Sequence, residues 1–88
     1  MNISDCELLL VLIEEENITK AAERLYTSQS TLSYRIKSLE RELDCVLFER
    51  SKAGITPTRE CRSAAEFAQE TLEKYDALLA RLSEYGFQ

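Results

Sequence analysis

The sequence predicts a mainly α fold: a three-helix core, a short β-hairpin, and one long C-terminal helix. Three observations predict it. Thr19 to Glu40 holds two helical patterns joined by a very short link. Two β-rich runs flank a polar loop at Ser51–Gly54. Apolar residues recur at alternating steps of four and three from Cys61 to Leu82.

The first helix is predicted to begin after Ser4, where Ser-Asp-Cys-Glu sets Glu7 three residues beyond the cap in a capping box. Leu8, Leu9, Val11, Leu12 and Ile13 make its inner side nearly all apolar, so it backs the elements that follow. The run Glu14-Glu15-Glu16-Asn17 opposes the helix dipole at the C-terminus and stops the helix in a solvated acidic turn. Thr19 is the expected cap of a second helix, with Ala22 and Leu25 inward. Ser28 is the expected cap of a third, carrying Leu32, Ile36, Leu39 and Leu43 at helical spacing. Only Tyr26 and Thr27 lie between them. So short a link forces a steep crossing, and Ala21 and Ala22 permit close approach there. This is the layout of a helix-turn-helix, whose second helix usually enters the major groove of DNA.

The third helix is expected to show solvent Gln29, Ser30, Thr31, Ser33, Tyr34, Arg35 and Lys37. An ordinary solvated helix would carry mostly Glu and Lys, which have high helix propensity. This one opens with hydroxyls and an amide, groups that donate and accept at base edges and phosphates. Ser and Thr at a helix start also serve as plain caps, so the pattern leaves open a DNA-reading head and an ordinary three-helix core.

After Leu43 the pattern breaks at Asp44-Cys45. Val46–Arg50 and Ile55–Thr58 then read as two strands around a loop containing Gly54, with Pro57 at an edge or strand end because it lacks a ladder donor. A hairpin directly after the third helix makes the whole a winged helix-turn-helix. Arg50 and Lys52 are its candidate contacts to DNA; the alternative for Arg50 is surface pairing with Glu49 or Glu23.

From Thr58 to about Tyr85 runs one helix, capped by Thr58 and closed by Gly86 in the left-handed position. Cys61, Ala65, Ala68, Leu72, Tyr75, Leu79 and Leu82 form a heptad seam. Packing on the first helix accounts only for the N-terminal half. A second copy is expected to cover the rest as a symmetric homodimer, with Ala65, Ala68, Leu72, Tyr75, Leu79 and Leu82 as its contacts. The implied organisation is 1–58 as head, with helix 28–43 and wing 46–58, and 59–88 as linker.

Eighty-eight residues make one small domain without room for a deep cleft and a separate ligand lobe. No apolar run is long enough for a bilayer and no leader pattern is present, so a soluble, cytoplasmic chain is expected. Cys6, Cys45 and Cys61 are scattered, without a CxxC pair, in a chain with no His; no metal, no cofactor and no disulfide framework is expected, and the thiols read as small buried hydrophobes. An enzyme is disfavoured by the absence of His, of a plausible carboxylate pair and of a Gly-rich phosphate loop. The net charge of −5 argues against nucleic acid at first sight. Its distribution reverses that objection. Residues 1–18 hold five acids and no base, residues 19–62 hold nine bases against six acids, and residues 63–88 hold two bases against five acids. The bases concentrate on the suspected head, and segregation of this kind orients a protein on DNA. A helical adaptor that binds partner proteins through its acidic surface is the rival reading.

The combination of Ala21-Ala22-Glu23-Arg24-Leu25, Ser28-Gln29-Ser30-Thr31-Leu32-Ser33, Ile36, Leu39-Glu40, Glu42-Leu43, Leu47-Phe48-Glu49-Arg50 and Thr58 closely resembles the N-terminal DNA-binding domain of the LysR-type transcriptional regulators, over nearly the whole chain. The resemblance implies a sequence-specific double-stranded DNA-binding domain of a bacterial regulator, bound as a dimer to half-sites about one turn, ~10 bp, apart or at multiples of it. It implies base contact by Gln29 and base or phosphate contact by Ser30, Thr31, Ser33, Tyr34, Arg35 and Lys37. It further implies wing contacts by Arg50 and Lys52, dimerisation through the linker helix, and room for a tetramer in a full-length protein. A small-molecule effector is expected only where a C-terminal effector domain exists. The chain stops at Gly86-Phe87-Gln88, where the family has its hinge, which favours an excised fragment over a natural short protein. Two features depart from the pattern: Arg59-Glu60-Cys61 stands where the family commonly has a small residue and Gly, and the chain is unusually acidic.

Overall fold

The computed structural model describes residues 1–86 and contains α1 (Ile3–Glu15), α2 (Ile18–Arg24), α3 (Gln29–Leu43), β1 (Phe48–Ser51), β2 (Gly54–Pro57) and α4 (Arg59–Glu84). The last two residues of the expected linker, Phe87 and Gln88, lie outside the described residues.

Helix starts are set by side chains that reach the orphan N–H groups. Two of the expected caps are displaced. α1 is capped by Asn2, not Ser4: the Asn2 amide oxygen accepts from the Asp5 N–H (2.8 Å) and the Asp5 carboxylate accepts from the Asn2 N–H (3.0 Å), a reciprocal box. α2 is capped by Asn17, not Thr19, through the Lys20 N–H (2.9 Å). Each asparagine stands two residues before the hydroxyl that competed for the role. Ser28 caps α3 through the Thr31 N–H (3.1 Å), and Thr58 caps α4 through the Cys61 N–H (3.1 Å), both as expected. The Arg59-Glu60-Cys61 departure therefore leaves the helix start intact. At the far end of α4, Gly86 takes the left-handed conformation (φ 76°).

Leu8, Leu9 and Leu12 of α1 are fully buried in one cluster with Leu32, Ile36 and Leu39 of α3, joined by Ala21 and Ala22 of α2, by Leu47 just before the hairpin, and by Phe48 and Ile55 within it. Burying a leucine side chain contributes about 1.5–3 kcal/mol, so this cluster dominates the fold's stability. No polar or charged residue is buried among the described residues. Leu43, expected inward, is 37% exposed, because the core ends at Leu39 and the last turn of α3 overhangs it.

The hairpin is antiparallel, pairing Phe48 with Pro57 and Ser51 with Gly54. It is shorter than expected at its outer ends. Val46 and Leu47 precede it as a linker, and the Glu40 carboxylate of α3 accepts from the N–H groups of Leu47 (2.7 Å) and Phe48 (3.3 Å). Thr58 follows β2 with its N–H still donating to the Leu47 carbonyl (2.9 Å), while its hydroxyl caps α4 and donates to the Val46 carbonyl (2.7 Å). Pro57 ends β2, as its missing donor requires. At the inner end the Glu16 carbonyl accepts from the Ile55 N–H (3.2 Å), strapping the hairpin to the α1–α2 turn. Gly54 makes this approach possible: at φ +132° a Cβ would stand 2.5 Å from the Glu16 oxygen.

α4 has 26 residues, ~39 Å at 1.5 Å per residue. Its first half packs on α1 through Cys61, Ala64, Ala68 and Leu72. Beyond Leu72 it is exposed throughout, giving the molecule its length of 52 Å.

Candidate nucleic-acid interface

The tight α2–α3 link holds α3 so that Leu32, Ile36 and Leu39 point into the common core and the opposite side faces solvent. Tyr26 N–H donates to the Glu23 carbonyl (3.2 Å) and Thr27 N–H to that of Ala22 (3.0 Å), closing the turn. Helical spacing then divides the predicted contact residues into three strips. Gln29, Ser33 and Lys37 lie toward the hairpin, Ser30 and Tyr34 on the outermost line, and Thr31 and Arg35 toward α1.

These strips differ in how free their side chains are. Gln29, Ser30, Thr31, Tyr34 and Lys37 are exposed. Ser30 and Thr31 cluster with the cap, their hydroxyls 3.3 Å and 2.9 Å from Ser28 Oγ. Ser33 and Arg35 are only half-exposed, contrary to the expectation of an open face. Arg35 donates to Ser4 Oγ (2.9 Å) and pairs with Asp5 (3.3 Å), tying α3 to the start of α1. The reason is position: Arg35 stands on the strip nearest α1, whose acidic first turn is the local counter-charge. Arg50 pairs with neither Glu49 nor Glu23 among the described residues. Its guanidinium donates to Ser33 Oγ (3.3 Å), laying the wing arginine across the flank of α3.

Arg50 also borders a cleft of about 220 Å³ with Asn17, Ile18, Thr19, Ser51, Gly54 and Ile55, between the start of α2 and the hairpin. Lys52 is exposed in the loop between the strands. Arg41, exposed four residues beyond Lys37, continues the cationic edge of α3 and escaped the sequence reading; its spacing from Lys37 was the available signal. Two carboxylates of the acidic turn are paired locally. Arg24 pairs with Glu15 (3.0 Å) and Glu14 (3.5 Å), and the Glu15 hydrogen bond is the main cause raising its pKa further.

The expected dimer seam is divided by the fold. Ala68 is 0% exposed against its own core, and Ala65 and Leu72 are half-buried, so this stretch already packs within one chain. Tyr75, Leu79 and Leu82 are exposed. The open apolar stripe runs instead through Phe67, Leu78, Leu82 and Tyr85, about a quarter turn around the helix from the buried one. Phe67 is 56% exposed and lines an apolar groove with Met1, Leu43, Ser63 and Ala64, at the point where the Met1 ammonium pairs with Glu42. Phe67 and Leu78 were missed because two stripes of α4 satisfy the same spacing.

Cys6 and Cys61 are buried and Cys45 is half-buried, all as free thiols. Burial pushes the Cys61 thiol up to about 12. No group of metal-ligating side chains occurs among the described residues, and no described helix is long and apolar enough to cross a membrane.

A family model described as the bacterial regulatory helix-turn-helix protein, lysR family, matches residues 3–62. Among curated relatives, the probable HTH-type transcriptional regulator LrrA of Synechococcus elongatus is 36% identical over 89 residues, covering 100% of this chain and 30% of that protein. The uncharacterized HTH-type transcriptional regulator YraN of Bacillus subtilis is 39% identical over 74 residues, covering 84% of this chain and 26% of the relative. The chain thus spans between a quarter and a third of the length of these relatives. Among solved structures, the CbnR_DBD-DNA complex superposes with a TM-score of 0.91 at 29% identity, covering 99% of this chain and 100% of that one. The BenM_DBD/catB site 1 DNA complex superposes with a TM-score of 0.90 at 27% identity, covering 100% and 99%.

Proposed function

Because the chain belongs to the lysR family of bacterial regulatory helix-turn-helix proteins, we propose that it is the sequence-specific DNA-binding part of a cytoplasmic transcription regulator and not an enzyme. The observation that carries this reading is the outer face of α3, where Gln29, Ser30, Tyr34 and Lys37 are exposed together beside a hairpin that bears Arg50 and Lys52. Superposition on DNA-bound domains along their full length supports the same use of the face. In this reading α3 enters the major groove. Gln29 reads a base edge from the first turn; Ser30, Thr31, Ser33 and Tyr34 approach bases or phosphates; Arg35 and Lys37 supply phosphate contacts, with Arg35 also holding α1 to α3. Arg50 and Lys52 engage the backbone from the wing.

Residues 1–58 act as the head and 59–88 as the linker. The linker brings two copies together on half-sites about one helical turn apart, or at multiples of it. Tyr75, Leu79 and Leu82 remain the dimer contacts of this reading, joined by Phe67 and Leu78, whereas Ala68 serves the core of its own chain. A longer protein carrying an effector domain would add a small-molecule ligand and the option of a tetramer.

A mobility shift with mixed duplexes at two salt concentrations tests the reading, followed by selection of bound sequences from random DNA. Binding should weaken steeply with salt, because each neutralised phosphate releases counterions, and selection should return an inverted repeat. Failure to bind any duplex at low salt would overturn it in favour of a protein-binding adaptor.

A further inference from the structure

Tyr26 stands out from every other large side chain of the head. It is 97% exposed, and its backbone is left-handed at φ +54°, a conformation that suits Gly or Asn and costs an aromatic residue. A single exposed tyrosine needs no explanation, and a left-handed residue in a tight turn needs only a small or amide side chain. Together they do. Tyr26 closes α2 in the left-handed conformation with which Glu16 and Asp44 close α1 and α3, but here an aromatic residue is held there while its phenol buries nothing in return, a local cost of the kind that gathers at functional sites.

The position supplies the use. Tyr26 lies two residues before the Ser28 cap and three before Gln29, in the turn that delivers the N-terminus of α3. In a helix-turn-helix that N-terminus is the end that meets the base edges, which sets the preceding turn beside the groove wall, where the sugar-phosphate backbone runs. Tyrosine hydroxyls are among the donors that hold such backbones, and the ring is long enough to reach outward from a turn.

We propose that Tyr26 is a DNA-backbone contact, its phenol O–H donating to a phosphate oxygen at the edge of the groove that α3 enters. The proposal rests on the DNA-reading function above. Being neutral, Tyr26 adds affinity without adding to counterion release, so its removal leaves the salt slope unchanged.

The test uses the full 88-residue chain and the duplex recovered by selection, with Tyr26→Phe, which loses only the hydroxyl, and Tyr26→Asn, which suits the left-handed turn. Both should bind about three- to tenfold more weakly on preferred and random DNA, the range expected for one hydrogen bond. Their salt slope should stay as in the unchanged chain, and the thermal midpoint of Tyr26→Asn should be equal or higher. Phosphate-ethylation interference should lose one position in both variants. Unchanged affinity overturns the proposal, as does weaker binding that comes with a lower midpoint. A Gln29→Ala control separates the two levels: if the unchanged chain binds and Gln29→Ala weakens it while the Tyr26 variants do not, only the Tyr26 contact fails. If the unchanged chain binds no duplex, the function itself fails.

Discussion

Replacing Gly54 with Ala should uncouple the hairpin from the helical core. The new methyl would stand 2.5 Å from the Glu16 carbonyl oxygen, on a backbone at φ +132° that L side chains rarely adopt. Holding such a residue costs about 1–3 kcal/mol. Relieving the clash by moving the hairpin breaks the Ile55 N–H to Glu16 hydrogen bond (3.2 Å), another ~0.5–1.5 kcal/mol. The stiffer unfolded chain returns about 0.4–1 kcal/mol. The net is a loss centred on about 2 kcal/mol, or roughly 8–16 °C in the thermal midpoint of a domain this size. Circular dichroism melting of Gly54→Ala beside Thr56→Ala, an exposed neighbour on the same strand, measures it; the neighbour should change stability by less than about 0.5 kcal/mol. A Gly54→Ala midpoint within about 3 °C of the unchanged chain would show that the strap does not anchor the wing.

Gln29→Ala should cost roughly 1–3 kcal/mol on the selected duplex and little on random DNA in titrations at fixed salt; equal losses on both would remove its base-reading role. Phe67→Asp should turn a dimer into a monomer in sedimentation with its helical signal unchanged, whereas Ala68→Asp should unfold the chain, since Phe67 is open and Ala68 is in the core. A Phe67→Asp chain that stays dimeric would return the interface to another face. Cys61, its thiol pushed up to about 12 by burial, should resist alkylation at pH 8 in the folded chain and react after unfolding in urea, while half-buried Cys45 labels first. Because the folded value lies above the ordinary 9.0, the stability that the neutral thiol supports is complete below pH 9 and is lost as pH rises toward 12; melting that is flat across that window in a Cys61 chain and its Cys61→Ala counterpart alike would refute this.

The head's architecture was legible because its signals are local. Ser28 and Thr58 stand directly before the periodic runs they cap, Gly86 is the one glycine at the helix end, and Pro57 is confined to an edge or a strand end. Asn2 and Asn17 lost to Ser4 and Thr19 in the reading because either residue could reach an orphan N–H. Which one does so depends on where the chain enters the helix. The contact residues on α3 were identifiable as a set from composition alone. Their division was not: Arg35 turns to Asp5 and Arg50 to Ser33 across sequence separations of 30 and 17 residues, and no local pattern reports such pairings.

The sequence by itself determined the element order, the winged helix-turn-helix, the polar outer face of α3 and the family, since each follows from periodicity, capping chemistry or a motif read along the chain. Only the tertiary structure decided which stripe of α4 is spent on α1, which cations stay free, and that Tyr26 stands strained and fully exposed at the turn. Helical spacing specifies a set of faces; what each face meets is decided by elements far away in the chain, whose packing selects one face for burial and leaves the next one open.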